Sequence, residues 1–508
     1  MNIQTDGPAF DAPRLKKSSL DKDLRKIGYI EDATRSLGRS LFAPGMGLIF
    51  LAFAGVLAGV QIGSSPNYAI LIVAAVVGGY MALNIGANDV ANNVGPAVGS
   101  RALSLTGALV IASVFECAGA LIAGGDVVRT ISKGIIDPAL VPTSRMFTLA
   151  MLSALMASAV WVNVATYIGA PVSTTHAVVG GVLGAGIVAA GFDVVNWPMM
   201  VSIMASWLIS PVIGGAVAAL FLAFIKANII YQEDKIAAAR RWVPLLVAIM
   251  AASFSAYLIM KGMSNLWRPS PSETGLISFA VFIGSWLLLK PLIRRQSEGM
   301  ENRNQSLRKL FHLPLICSAA LLSFAHGAND VANAVGPLAA ILHSAETGDV
   351  AARVNLPFWV MFIGAVGIST GLFLFGPRLI IMVGEQITKM NPMRAFCVAL
   401  SAAVTVIVAS AFGLPVSSTH IAVGAVFGVG FFREYYTAHS RRRREYVGAK
   451  PLPQAAEASN AAADTQALVR RKLVRRSHVS AIVAAWLITV PAAALMAALI
   501  YMGLVLAV

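Results

Sequence analysis

Residues 86–96 read GANDVANNVGP, and residues 327–337 read GANDVANAVGP, with ten of eleven positions in agreement. Each copy is followed by a second match, GAPVSTTH at 169–176 and GLPVSSTH at 413–420, and by a third, SWLISP at 206–211 and AWLITVP at 485–491. Asn88 lies 88 residues before His176, and Asn329 lies 91 before His420. Three matched pairs in one order and spacing are an internal duplication, and the reading of the chain starts from it.

The surroundings of the motifs set the class. The chain has 508 residues, 57% of them hydrophobic, only 12% charged, with a mean hydropathy of +0.74. A soluble globular protein carries roughly 25% charged residues. A soluble, disordered or fibrous chain is therefore excluded. Apolar runs lie near 44–63, 68–86, 102–124, 146–168, 198–225, 243–260, 275–289, 311–326, 357–376, 395–412 and 479–508. Those near 20 residues are long enough to cross a bilayer. Two more, 177–192 and 421–432, are short and fit re-entrant segments. The expected fold class is an all-α polytopic membrane protein with two inverted-topology repeats, broken helices and re-entrant hairpins. Cys117, Cys317 and Cys397 lie in apolar runs without a CxxC pair, which argues against disulfides and thiolate metal sites. The first 40 residues are polar, so the first span is expected to act as its own insertion signal.

The net charge of +15 is concentrated in links between apolar runs. The segment 433–478 holds eleven Lys/Arg, including Arg441 to Arg444, against four acids. The links 226–241 and 290–309 are also basic, whereas 64–67 and 193–197 carry no Lys or Arg. The positive-inside rule explains this basicity more economically than nucleic-acid binding does. It puts the N-terminus in the cytoplasm and the C-terminus outside. The repeats then run toward opposite faces after their hydroxyl motifs, the inverted arrangement of secondary transporters. The expected divisions are a cytoplasmic tail 1–43, a first span 44–67, repeat 1 over 68–242, connecting spans and a basic loop over 243–310, and repeat 2 over 311–508 with the basic loop 433–478.

From 44 to 124 the only charges are Asp89, Arg101 and Glu116, and from 310 to 342 the only acid is Asp330. A carboxylate inside a bilayer costs about 2.5–3.5 kcal/mol even on the lenient insertion scale, so it persists with a partner or a task. Asn88, Asp89 and Asn92, and Asn329, Asp330 and Asn333, offer oxygen ligands suited to a hard cation such as Na+. The bland alternative is a polar helix–helix contact. The glycine before and the Gly-Pro after each motif predict a broken helix. Ser173, Thr174 and Thr175, and Ser417, Ser418 and Thr419, follow a proline and read as the start of a half-helix. Such a start is either a cap or, with its N–H donors and hydroxyls, an anion site suited to a tetrahedral oxyanion such as phosphate. His176 and His420 read as hydrogen-bonding or proton-responsive groups. His312, His326 and His343 occur in one repeat only and read as incidental. Glu116 is either a salt-bridge partner or a proton or cation site. Trp161, Trp207, Trp286 and Trp486 read as packing or interfacial anchors.

The doubled GANDVAN and PVS(T/S)TH motifs resemble those of the inorganic phosphate transporter family, over roughly 68–226 and 311–505. The resemblance implies a cation-coupled phosphate symporter in the plasma membrane of a bacterium, with re-entrant hairpins and a homodimeric assembly. It implies that phosphate is bound by Ser173 to Thr175, Ser417 to Thr419, Asn88, Asp89, Asn329 and Asp330. The coupling cation would be held by Asn88, Asp89, Asn92, Asn329, Asp330, Asn333 and Glu116, the last in VFECAG where family members often have Glu. Some sodium-coupled eukaryotic members carry further Glu residues where this chain has Met151 and Ala399. Protons and a metal–phosphate ion pair thus stand beside Na+ as the coupled species. No cofactor, no other metal and no nucleic acid is expected. Sulfate is the alternative substrate. An intramembrane hydrolase is a remote alternative, because HExxH, GxSxG and P-loop motifs are absent.

Overall fold

A computed structural model describes residues 41–63, 67–170, 172–262, 269–347, 356–386, 390–440 and 476–507. Residues 1–40 of the cytoplasmic tail expected over 1–43, and most of the basic loop expected over 433–478, including Arg441 to Arg444, lie outside the described residues. The chain divides into Met1–Leu48, of which only the start of the first helix is described, and Ile49–Val508, which holds everything below.

The described residues are helical, with a single isolated bridge, Ile136 to Val195, as the only β pairing among them. In chain order the helices are α1 (Leu41–Ile62), α2 (Tyr68–Gly99), α3 (Leu105–Ala123), α4 (Gly125–Lys133), α5 (Ser144–Ile168), α6 (Thr174–Ala190) and α7 (Trp197–Ile225). They continue as α8 (Lys235–Tyr257), α9 (Pro271–Gln296), α10 (Asn304–Leu310), α11 (His312–Thr347), α12 (Phe358–Gln386), α13 (Pro392–Ala411), α14 (Ser418–His439) and α15 (Arg476–Ala507). Eleven of the described helices are long and apolar enough to cross a membrane, and α6 is a shorter apolar helix. The chain is a multi-pass membrane protein. In a bilayer the backbone must satisfy its own polar groups, and helices do so within one segment. Their starts are closed locally. Ser104, Thr143, Asn196, Asp234 and Asn391 each accept a backbone N–H from the first turn of the helix that follows. Ser270 and Glu273 form a reciprocal capping box.

Burial separates centre from periphery. The most apolar window of α11 is 89% buried and that of α9 only 11%. The two repeats interlock: α2 packs on α12 and α3 on α11, while α6 packs on α15 and α7 on α14. With α2 matched to α11, α3 to α12, α6 to α14 and α7 to α15, each of these contacts occurs twice. Glycine permits the closest of them. A Cβ on Gly86 would overlap the Ile368 carbonyl, and one on Gly327 would overlap the Glu116 carbonyl.

The expected break at GANDVAN does not occur. Both α2 and α11 run unbroken through the motif, with Pro96 and Pro337 inside them. A proline removes one backbone hydrogen bond, and close neighbours tolerate that within a packed membrane core. The short run at 177–192 is the 17-residue α6, whereas the run at 421–432 lies inside the 22-residue α14.

Candidate functional site

The motifs of both repeats converge at the centre of the fold. Asn88, Asp89, Asn92, Asn329, Asp330, Asn333 and Glu116 are all buried, as are Ser173, Thr174, Thr175, Ser417, Ser418 and Thr419. α2 and α11 supply the Asp and Asn side chains, and the first turns of α6 and α14 supply the hydroxyls. Ser173 Oγ accepts the His176 N–H at 3.1 Å, and Ser417 Oγ accepts the His420 N–H at 3.2 Å. The first serine of each triplet is thus a helix cap, which frees the next two hydroxyls for the site.

Those hydroxyls hold the carboxylates. Thr174 Oγ1 donates to Asp89 Oδ2 at 2.7 Å, and Ser418 Oγ donates to Asp330 Oδ2 at 2.7 Å. Other bonds cross between repeats. Thr419 Oγ1 donates to Asp89 Oδ1 at 2.9 Å, and Asn92 Nδ2 donates to Thr419 Oγ1 at 3.0 Å. Asn333 Nδ2 reaches the hydroxyls of Thr174 at 3.2 Å and Thr175 at 3.1 Å. Thr175 Oγ1 and Asn329 Nδ2 both donate to the Val416 carbonyl, and Asn329 also donates to Asp330. Asn88 Nδ2 donates to Thr166 Oγ1 and to the Ala170 carbonyl. Asp89, Asn92, Asn329, Asp330, Asn333, Thr174, Thr175, Ser418 and Thr419 thus form one connected polar region, with Asn88 bonded apart from it.

Three residues extend that region in one direction only. His326 Nε2 lies 2.8 Å from Asp330 Oδ2, and its Nδ1 lies 3.2 Å from Glu116 Oε1. Asn93 Nδ2 donates to the same Glu116 oxygen at 2.9 Å. Glu116 thus meets a buried imidazole, an ion pair whenever His326 is protonated. His326, expected to be incidental, stands between two carboxylates. Its place was legible in principle, because it precedes Asp330 by four residues and so shares its helix face. Its occurrence in one repeat only hid it. One ligand atom each from Asp89, His326 and Asp330 lie within 4.8 Å of one another, a grouping able to hold a cation. Hydroxyl and amide donors beside it suit an oxyanion.

Behind the hydroxyl motifs the third repeat pair takes part. The His176 ring lies 3.8 Å, between centroids, from Trp207, and the His420 ring lies 3.6 Å from Trp486. The two imidazoles meet edge to face at 4.3 Å. Trp207 Nε1 donates to the Pro415 carbonyl and Trp161 Nε1 to Thr489. These three tryptophans pack as expected, with Trp207 and Trp486 backing the motif histidines, while Trp286 sits beside Lys290.

The pattern of the phosphate transporter family matches residues 85–497. A protein of Helicobacter pylori strain J99, named as a candidate phosphate permease, is 43% identical over 95% of this chain and 98% of its own length. A similarly named protein of Pyrococcus abyssi is 32% identical over 85% of this chain and 97% of its own. A solved structure of a protein named the sodium-dependent phosphate transporter is 34% identical, with a TM-score of 0.76 over 87% of this chain and all of that one. The chain belongs to the phosphate transporter family. The matched span includes both repeats and all the site residues, so the polar region just described is the centre of a phosphate-transporter fold. Met151 and Ala399, the positions where some members carry Glu, are buried here among apolar neighbours.

Proposed function

We propose that the protein imports inorganic phosphate by symport with Na+, by alternating access of two inverted repeats around the Asp89–Asp330 region. The observation that carries this reading is the coming together of two buried carboxylates and the hydroxyl-bearing starts of α6 and α14. Phosphate brings one to two negative charges to a place that already holds carboxylates. Like charges at low dielectric repel strongly, so an anion binds there only with compensating cations. Binding of each species then favours the other, which is thermodynamic coupling. Asp89, Asp330, Asn88, Asn92, Asn329 and Asn333 would bear the cation, with Glu116 charge-balancing at one remove. Thr174, Ser418 and Thr419 would turn from the carboxylates, and Thr175 from the Val416 carbonyl, to the phosphate oxygens. Ser173 and Ser417 would hold the helix starts in place. The sodium dependence for which the solved relative is named supports Na+. The second reading is proton coupling, and the position of His326 between Glu116 and Asp330 favours it.

The reciprocal packing of the repeats supports a two-fold relation, and the charge of the links supports an axis in the membrane plane. The same charges support a cytoplasmic N-terminus and an outer C-terminus. We assign the protein to the plasma membrane as a homodimer and not to an enzyme class. Labelled phosphate uptake into proteoliposomes, under separate Na+ and H+ gradients, tests the reading. Concentrative uptake driven by the Na+ gradient alone is expected. Uptake that ignores both gradients rules out symport.

A further inference from the structure

A groove of about 750 Å3 runs along α7, α14 and α15, behind the hydroxyl motifs. Its size falls within the roughly 300–1,000 Å3 of ligand pockets. Its walls are almost entirely apolar, with Trp207 and Trp486 at one end and Phe431, Phe432 and Tyr435 at the other. Leu208 and Val212 on α7 are largely exposed beside it, so the groove faces the lipid phase. Along α7 it extends from Trp207 to Ala219. At 1.5 Å per residue that is about 18 Å, a little over half of the roughly 30 Å hydrocarbon core. The groove therefore matches the depth of one leaflet.

Its aromatic end carries positive charge. Lys226, seven residues beyond Ala219, places Nζ 4.1 Å from the centre of the Tyr436 ring and 5.1 Å from that of Phe432. Tyr231 stacks on Tyr436. Aromatic rings with Lys or Arg among them mark the headgroup level of a membrane protein. A basic residue there attracts anionic headgroups.

We propose that this groove binds an anionic phospholipid, one acyl chain lying along the seam of α7 and α14 and the phosphate meeting Lys226. The chain's tip then abuts Trp207 and Trp486, which pack on His176 and His420. The lipid would brace the starts of both hydroxyl helices from behind.

Native mass spectrometry tests the binding directly. Delipidated protein is offered phosphatidylglycerol or phosphatidylcholine with identical acyl chains. Wild type is expected to retain one phosphatidylglycerol per chain in clear preference to phosphatidylcholine. Lys226→Gln should lower that preference about fivefold, the effect of one basic residue at an anionic surface. Lys226→Arg should keep it. Ala216→Trp, a change at an exposed wall position, should abolish retention of both lipids. Equal retention of the two lipids by wild type, or undiminished retention by folded Ala216→Trp, overturns the proposal. So does a second copy of the chain in the groove, seen as a dimer that Ala216→Trp dissociates. Lipid retention is read without transport, so loss of the phosphate-import reading would leave this result standing.

Discussion

Around Asp330 the protein keeps an imidazole and a third carboxylate, and at the matching places around Asp89 it keeps isoleucines. His326 precedes Gly327 as Ile85 precedes Gly86. Glu116 faces Gly327 as Ile368 faces Gly86. The single mismatch between the two eleven-residue motifs is Asn93 against Ala334, and Asn93 is the side chain that donates to Glu116. One side of the pseudo-symmetric centre thus holds a polar set, Asn93, Glu116 and His326. The other holds an apolar set, Ala334, Ile368 and Ile85, all fully buried. The duplicated residues give the site its shape and its hydroxyl donors. The unduplicated ones add a third carboxylate and an imidazole to the two duplicated carboxylates. A symmetric scaffold can therefore carry an asymmetric set of ionisable groups without altering its packing.

The largest expected effect falls on the residues the two halves share. Asp89→Asn and Asp330→Asn should each abolish concentrative phosphate uptake while the protein still inserts. Uptake at the wild-type rate by both variants would remove these carboxylates from transport.

Next comes the polar set itself. Glu116→Ile alone leaves Asn93 without its acceptor and His326 without one of its two acids. Removing one partner of a buried pair costs about 3–5 kcal/mol, whereas replacing the pair by packed apolar groups is often neutral or stabilising. The triple variant Asn93→Ala, Glu116→Ile, His326→Ile rebuilds on this side what the other side already has. It should melt close to wild type, far above the single variant, while its uptake responds differently to Na+ and pH. A triple variant as unstable as Glu116→Ile would mean that the two sides are not interchangeable in packing.

A smaller effect is expected at the hydroxyls that hold the carboxylates. Thr174→Ala and Ser418→Ala each delete a charge-assisted donor at 2.7 Å from an Asp oxygen. Such bonds contribute about 1.5–3 kcal/mol. The apparent affinity for phosphate should fall by about tenfold or more in each, since roughly 1.4 kcal/mol is one decade. Concentration series of uptake would show whether the two losses match.

Much of this centre is legible in the sequence because duplication marks it. The Asp and Asn side chains of both motifs and all six hydroxyl residues come together as their repetition suggests. What escapes a reading by repetition is whatever is not repeated, so Asn93 and His326 pass unmarked, although the four-residue spacing of His326 to Asp330 puts both on one helix face. Glycine was also misleading. Gly86 and Gly327 read as helix breakers, yet each sits inside an unbroken helix and serves the approach of a neighbouring backbone carbonyl. Sequence patterns register that a glycine is required; only the neighbour, which lies hundreds of residues away, says whether the need is for a turn or for space.

The smallest effect probes whether the likeness between repeats reaches the helix starts themselves. Ser173 and Ser417 sit in extended backbone and cap α6 and α14 through bonds of nearly equal length, 3.1 and 3.2 Å. Each is almost fully buried. Replacing a serine cap by alanine costs about 1 kcal/mol, and by glycine only a few tenths. Both serines are buried, so a freed N–H of His176 or His420 left without a partner places the cost at the upper end of the usual range. Ser173→Ala and Ser417→Ala should therefore lower stability by like amounts, about 1–2 kcal/mol each, and their effects should add, because each cap serves a different helix. Unfolding of the two single variants and of the double variant in matched detergent measures this. A large loss at one serine beside none at the other would show that one triplet starts a helix held by its cap and the other a helix held by its neighbours, and the equivalence of the two hydroxyl motifs would end there.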